Sequence, residues 1–190
     1  MADEQSQRNP IDVAAELAQA LEKRGIDDAL GGALALGYWT RPRGTVDVDL
    51  TLYLSPDNPP ECIRTLQLGC HVSIDEATRL LDEHGFCRAR YGSMPIDVFF
   101  PTIPFYDVAR DRRQRVPLKN GSALVWDAET IAVFKMMFFR EKDLVDLKQI
   151  LRNRSPSFDS NWVRHQLVAI YGPRDIRILR WDEAVSELAT

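Results

Sequence analysis

Long apolar runs are missing from this sequence, since no stretch approaches the roughly 18 consecutive apolar residues of a membrane-spanning helix. Residues 1–10 are polar and lack the apolar core of a secretory signal, so we expect a flexible tail there. Cysteine is scarce, and Cys62, Cys70 and Cys87 show no metal-like spacing with the three histidines. Three is also an odd number, which favours reduced thiols and a cytoplasmic protein without a membrane partner.

An excess of positive charge is also absent, because the net charge of −4 gives no global attraction to nucleic acid. The 190 residues are 45% hydrophobic and 27% charged, which is typical of an ordinary globular protein. This length suits one domain, or one domain with a helical extension. No internal repeat is present.

The stretch from Thr45 to Leu54 alternates strictly between apolar and polar residues, which predicts a half-buried strand. Asp47 and Asp49 would then project from one face with their Cα atoms roughly 6.5 to 7 Å apart. Two like charges repel by about 4 kcal/mol at a separation of about 4 Å and an effective dielectric of about 20. A cation between the carboxylates would relieve this repulsion, and Mg²⁺ prefers oxygen ligands. The alternative is an ordinary solvated face.

Gly31 and Gly32 lie upstream of this strand and precede a segment, residues 33–36, that we predict to be a short helix. Glycines at such a place let the backbone turn tightly and approach a phosphate, with the N–H groups of the helix directed at it. A pair of glycines alone is also typical of a simple turn.

A hairpin is predicted from Phe86 to Tyr91 and from Met94 to Phe100, around Gly92 and Ser93. Asp97 is the lone carboxylate on its second strand, which is otherwise apolar on both faces. An unpaired buried carboxylate is costly, so Asp97 needs a cation or hydrogen-bond donors. The alternatives are an active-site acid and a partner for an arginine.

The turn Gly31-Gly32, followed after a helix-length gap by Asp47-Val48-Asp49, resembles the nucleotidyltransferase superfamily related to DNA polymerase β. With Arg43-Gly44-Thr45 before the aspartates, it looks most like the branch of AbiEii-type and MenT-type toxin nucleotidyltransferases. The resemblance covers residues 26–151 and implies an α/β (α+β) fold, in which helices flank a small mixed sheet. We predict a nucleotidyltransferase domain over residues 11–154 and a C-terminal helical extension over 155–190.

The resemblance also implies roles for individual residues. The three acids would hold Mg²⁺, as two ions once a nucleoside triphosphate binds, and the third would orient or deprotonate the attacking hydroxyl. These metal and catalytic acids are Asp47, Asp49 and Asp97. The implied nucleotide-binding residues are Gly31, Gly32, Arg43, Thr45, Lys135, Lys142 and Asp143.

A helical region is predicted from Asp127 to Leu151, as one bent helix or two, with Asp127 as its N-cap. The expected core stripe is Ile131, Val133, Phe134, Met137 and Phe138. Lys135 interrupts this stripe, and the resemblance implies that Lys135 is a catalytic cation that reaches the triphosphate. It further implies that Lys142 and Asp143 lie near the same pocket. The alternative is a set of surface pairs four residues apart.

A basic run offers a second clue to the substrate, and it is either a solvated face or a strip for phosphates near the active site. It consists of Arg110, Arg112, Arg113, Arg115 and Lys119.

Three functions remain open on the sequence. The first is an enzyme that transfers a nucleotide to RNA, such as a tRNA acceptor end, with a cognate antitoxin as partner. The second is an enzyme that modifies a protein or a small molecule such as an aminoglycoside. The third is a non-catalytic module that binds a nucleotide or a partner, which the presence of all three acids disfavours.

Overall fold

The structure, a computed structural model, describes residues 9–55, 57, 64–65, 69–118, 121–153 and 157–187. The predicted tail as far as residue 8, Cys62, Lys119 and residues 154–156 lie outside the described residues. The strands are β1 Asp28–Leu30, β2 Val48–Leu52, β3 Phe86–Tyr91, β4 Met94–Phe99, β5 Gln114–Leu118 and β6 Gly121–Val125. The helices are α1 Pro10–Lys23, α2 Gly32–Trp39, α3 Ile74–His84, α4 Phe105–Asp111, α5 Ala128–Phe138, α6 Glu141–Asn153, α7 Ser160–Tyr171 and α8 Ile176–Ser186.

The strands form one mixed sheet in the order β3-β4-β2-β1-β6-β5. β2 runs antiparallel to β1 and parallel to β4. In the parallel register Asp49 lies opposite Asp97, and Thr51 lies opposite Phe99. β3 then pairs with β4 as the predicted hairpin, with Arg88 opposite Asp97. The mixed sheet flanked by helices agrees with the predicted α/β architecture.

Side chains cap the N-termini of two helices, and the cap at Asp127 confirms the prediction. The Ser73 side chain accepts a hydrogen bond from the backbone N–H of Glu76 at the start of α3. The Asp127 side chain accepts one from the backbone N–H of Thr130 at the start of α5. Each cap satisfies one of the N–H groups that the first helical turn leaves without a partner.

The strand that carries the aspartates is shorter than predicted and is not half-buried. β2 begins only at Val48, and Val46 before it is exposed. Thr51, on the face expected to meet solvent, is fully buried. The reason is that the beginning of α2 packs on this face of β2, against Asp49.

The predicted helical region from Asp127 to Leu151 is two helices, because Phe139 adopts a left-handed conformation with φ 56° between them. This break turns Phe138 outward, and Phe138 is 45% exposed although the sequence placed it in the core. β6 has no counterpart among the predicted strands.

The helices of the predicted C-terminal extension contribute to the same buried core as the sheet, through Val163 and Leu167 of α7 and Ile178 and Trp181 of α8. The boundary of the domain at residue 154 stays a prediction. No helix in the described part of the chain is long and apolar enough to cross a membrane.

Candidate active site

The three acids predicted from the sequence line one cavity of about 950 Å³. Asp49 and Asp97 face each other across the parallel pair β2 and β4, and neighbouring strands lie about 4.8 Å apart. Asp47 stands one residue before β2 and lines the same cavity as Asp49. The topology of the sheet therefore brings together carboxylates that are 50 residues apart in the chain.

Asp49 carries the electrostatic cost of this arrangement. Burial, followed by the charges of Asp47 and Asp97, raises the pKa of Asp49 to about 6, and Lys135 and Lys142 offset only part of this. Carboxylate oxygens that repel one another are a donor set suited to Mg²⁺. Within the described residues, however, no three acidic, histidine or cysteine side chains converge as a preformed metal cluster.

Two neighbouring side chains donate hydrogen bonds to two of the acids. Arg88 of β3 donates two hydrogen bonds to Asp97, over 2.7 Å from Nε and 3.0 Å from Nη2. The Thr45 hydroxyl donates to a carboxylate oxygen of Asp47. Asp97 thus has an arginine partner, as the second alternative for this residue predicts. It also lies beside Asp49, where an active-site acid is expected. Arg88 must move before both oxygens of Asp97 can face a metal ion.

The two glycines before α2 are required by close packing. Gly32 has φ 53°, and a Cβ there would lie 2.9 Å from Asp49 Cβ and overlap the Asp49 carboxylate. A Cβ at Gly31 would lie 2.8 Å from Cζ3 of Trp126. The backbone N–H of Gly31 also donates to the carbonyl of Asp49 over 2.9 Å. The turn is therefore fitted directly over the central acid, and both glycines line the cavity.

Lys135 is the centre of a network that we call the Lys135 cluster, in which the buried Asp143 and Asp146 pair with the buried Lys135 and with the exposed Arg140 and Arg43. Its Nζ lies 3.0 Å from Asp143 Oδ1 and 2.8 Å from Asp146 Oδ2. Arg43 donates to both oxygens of Asp146, each over 3.0 Å, and Arg140 Nε donates to Asp143 over 2.6 Å. Burial favours a raised pKa for both aspartates. Hydrogen bonds from Lys135 and the two arginines outweigh it and hold each pKa below its usual range.

This network separates the predicted nucleotide-binding residues into two groups. Arg43, Lys135 and Lys142 line the cavity together with Thr45 and the glycines. Asp143 does not, since it is 0% exposed and its oxygens are occupied by Lys135 and Arg140. Asp143 therefore lies behind Lys135 and supports it, and it does not reach the cavity to contact a nucleotide directly. Because Asp143 is buried, it is not part of a surface pair either.

Two residues with clear positions at or behind the cavity, Arg88 and Asp146, are not among the site residues predicted from the sequence. Arg88 could have been found, because a two-residue turn at Gly92 and Ser93 pairs position 88 with position 97. Asp146 shares a helix face with Asp143 three residues earlier. Its contact with Arg43, 103 residues away in the chain, has no local signal.

The basic run does not form a strip for phosphates at this cavity. Its four described members make ion pairs with acids of other elements: Arg110 and Arg113 with Asp27, Arg112 with Asp127 and Glu129, and Arg115 with Glu22. None of these four arginines is among the described residues that line the cavity. The run instead joins α4 and β5 to the remainder of the fold.

Comparison with solved structures decides the fold. The solution structure of the antibiotic-resistance factor ANT(2'')-Ia matches with a TM-score of 0.59 and 13% identity, over 84% of this chain and 90% of that chain. The crystal structure of an antigenic nucleotidyltransferase-like protein from Paracoccidioides brasiliensis matches with a TM-score of 0.50 and 18% identity, over 94% of this chain and 92% of that chain. The chain has the nucleotidyltransferase fold.

At these identities the likeness concerns the nucleotidyltransferase fold alone. No protein-family model and no curated protein matches the sequence. Neither similar structure is described as an AbiEii-type or MenT-type toxin, so that branch stays a prediction from the sequence.

Proposed function

We propose that this chain is a Mg²⁺-dependent nucleotidyltransferase that moves a nucleoside monophosphate from a nucleoside triphosphate to a hydroxyl group and releases pyrophosphate. The observation that supports it most is that Asp47, Asp49 and Asp97 line one cavity beneath the Gly31-Gly32 turn. A charged Asp49 is disfavoured in the protein alone, and a bound cation would remove that cost.

Asp47, Asp49 and Asp97 are the residues that would hold the metal, which when bound would stabilise the entering and leaving oxygens at phosphorus. Asp97 also orients the acceptor hydroxyl and accepts its proton as the new oxygen–phosphorus bond forms and the bond to pyrophosphate breaks. Lys135 and Arg43 present positive charge to the triphosphate. Gly31 and Gly32 let the phosphates approach the backbone.

The acceptor that we propose is RNA, such as a tRNA acceptor end, and the protein would then act as a toxin of a toxin–antitoxin or phage-defence system. This finer assignment rests on the resemblance of Arg43 to Asp49 to the AbiEii-type and MenT-type branch. A cognate antitoxin belongs to the same proposal. The structural likeness to an antibiotic-resistance factor leaves an aminoglycoside as the competing acceptor.

The test is transfer of label from each of four α-³²P nucleoside triphosphates, with Mg²⁺, to total tRNA, to total protein and to an aminoglycoside. We expect label on tRNA from one nucleotide, and none with Asp49→Asn. Label on protein or on the aminoglycoside would support the nucleotidyltransferase activity but would show that the acceptor is not RNA. No transfer to any of them, by folded protein, would contradict the proposal.

A further inference from the structure

Three phenylalanines form an aromatic wall on one side of the cavity: Phe86 of β3, Phe99 of β4 and Phe138 at the end of α5. The rings of Phe86 and Phe99 are stacked with centroids 5.8 Å apart, and Phe138 meets Phe99 edge-on at 5.9 Å. Phe138 is 45% exposed within this cavity. Its ring is therefore available to a ligand.

The aromatic wall adjoins the acids in the pleat of the sheet. Phe99 follows Asp97 by two residues on β4 and so projects from the same face, about 7 Å away. Phe86 lies two residues before Arg88 on β3 and projects from the same face as Arg88. β3 is an edge strand of the sheet. The Gly31-Gly32 turn and α2 lie on the opposite side of Asp49, after β1. The wall is thus on the Asp97 side, where the proposed mechanism places the acceptor hydroxyl.

The position of Phe138 is built by the turn that follows it. Phe139 is the non-glycine residue with positive φ in the described part of the chain, a conformation that bulky residues adopt rarely. Arg177 of α8 supports this turn, because its Nε donates to the carbonyl of Met136 over 3.0 Å and its guanidinium lies 5.1 Å from the Phe139 ring. The Arg140 guanidinium lies 4.8 Å from the Phe138 ring.

The charges around the cavity favour an anionic ligand beside this wall. Five cationic and three acidic side chains line it: Arg43, Arg88, Lys135, Arg140 and Lys142 against Asp47, Asp49 and Asp97. The counter-charges Asp143 and Asp146 lie buried behind the lining. Lys135, Arg43 and Arg140 pair with these two aspartates, and Arg88 pairs with Asp97. The exposed guanidinium of Arg140 beside the Phe138 ring and the exposed Lys142 still offer positive charge at the wall, which suits the phosphates of RNA.

We infer that the aromatic wall binds an unpaired base at the acceptor end of an RNA, so that the hydroxyl of the same nucleotide faces Asp97. Bases stack on aromatic side chains whatever their sequence, since every base has a π-face. This inference rests on the proposed function, and it names the acceptor as single-stranded RNA.

The test compares Phe138→Leu with the native protein in binding a fluorescent single-stranded oligoribonucleotide and the same strand with its terminal bases removed. We expect the variant to bind the intact strand about tenfold more weakly, because one stacked base contributes on the order of 1 to 3 kcal/mol. The strand without terminal bases should not distinguish the two proteins. Tyr38→Leu is the matched control, since Tyr38 is an exposed aromatic outside the lining of the cavity.

Binding of a nucleoside triphosphate with Mg²⁺ is measured on the same proteins. If Phe138→Leu weakens triphosphate binding instead of RNA binding, the wall holds the donor base and the inference is overturned. Equal affinity of native and variant protein for the intact strand would also overturn it. If the native protein binds no triphosphate at all, the proposed function fails, whatever the result with RNA.

Discussion

Replacing Lys135 with methionine tests whether the Lys135 cluster supports the fold as well as the cavity. The side chain of Lys135 is buried and lies within 3.0 Å of Asp143 and 2.8 Å of Asp146. Methionine keeps the apolar stem of the lysine and removes the charge. Both aspartates would keep one arginine each, Arg140 and Arg43.

The expected loss follows from the burial of the cluster. Removing one partner of a buried ion pair costs about 3 to 5 kcal/mol, and the remaining arginines place this case at the lower limit, about 3 kcal/mol. A domain of about 150 to 250 residues loses about 2 to 4 °C in Tm per kcal/mol. We therefore expect Lys135→Met to lower Tm by about 6 to 12 °C.

Thermal and urea unfolding of Lys135→Met and Lys148→Met make the comparison. Lys148 pairs with Glu187 at 3.2 Å, but both side chains are about half exposed, and an exposed pair contributes about 0 to 1 kcal/mol. If the free energy of unfolding of Lys135→Met lies within about 1 kcal/mol of the native value, the Lys135 cluster does not stabilise the fold as inferred here. Activity of Lys135 variants reports on phosphate binding only where they remain folded.

The dependence on pH gives a second check of the same cluster. Although burial opposes it, hydrogen bonds hold the pKa of Asp143 and Asp146 below the usual 3.8. The cluster therefore contributes fully above pH 3.8 and loses its contribution as the pH falls through the lower folded pKa values. The difference in stability between the native protein and Lys135→Met should shrink only below that pH.

Three further predictions concern the acids and their neighbours. Gly32→Ala should lower stability by more than Gly92→Ala, because both have positive φ but only at Gly32 would the added Cβ overlap Asp49; equal losses in thermal unfolding would contradict this. Burial, followed by neighbouring carboxylates, raises the pKa of Asp49 to about 6, so its charge destabilises the fold increasingly as the pH rises from 3.8 to about 6. Asp49→Asn should consequently be about 1 to 3 kcal/mol more stable than the native protein at neutral pH, and urea unfolding at pH 4 should show no such gain. Arg88→Gln should bind Mg²⁺ severalfold more tightly in calorimetry, because Arg88 competes with the metal for Asp97; weaker binding would mean that Arg88 supports the site.

Elements with local signals could be predicted from the sequence. The caps Ser73 and Asp127 and the hairpin around Gly92 follow from hydrogen bonds and turn chemistry within a few residues. The placement of Asp97 beside Asp49 came from the resemblance, and the parallel register of β2 and β4 agrees with it.

Features that depend on distant parts of the chain could not be predicted. Nothing near Asp146 in the sequence indicates Arg43, and nothing near Phe138 shows that a left-handed turn at the next residue exposes it. The arginines of the basic run likewise pair with acids in α1, at the N-cap of α5 and in the segment before β1, and no local pattern in the sequence indicates these partners. Charge patterns in a sequence therefore indicate which residues need partners, while the fold decides which partners they meet.

Calorimetry with a non-reactive α,β-methylene nucleoside triphosphate tests directly whether Asp47, Asp49 and Asp97 form a metal-dependent nucleotide site. This measurement requires no knowledge of the acceptor. The native protein, Asp49→Asn and Asp82→Asn are compared with and without Mg²⁺, since Asp82 is an exposed acid outside the cavity. We expect the native protein to bind the triphosphate analogue only with Mg²⁺. This binding should persist in Asp82→Asn and be lost in Asp49→Asn. Equal binding by Asp49→Asn, or binding by the native protein that is indifferent to Mg²⁺, would contradict this expectation.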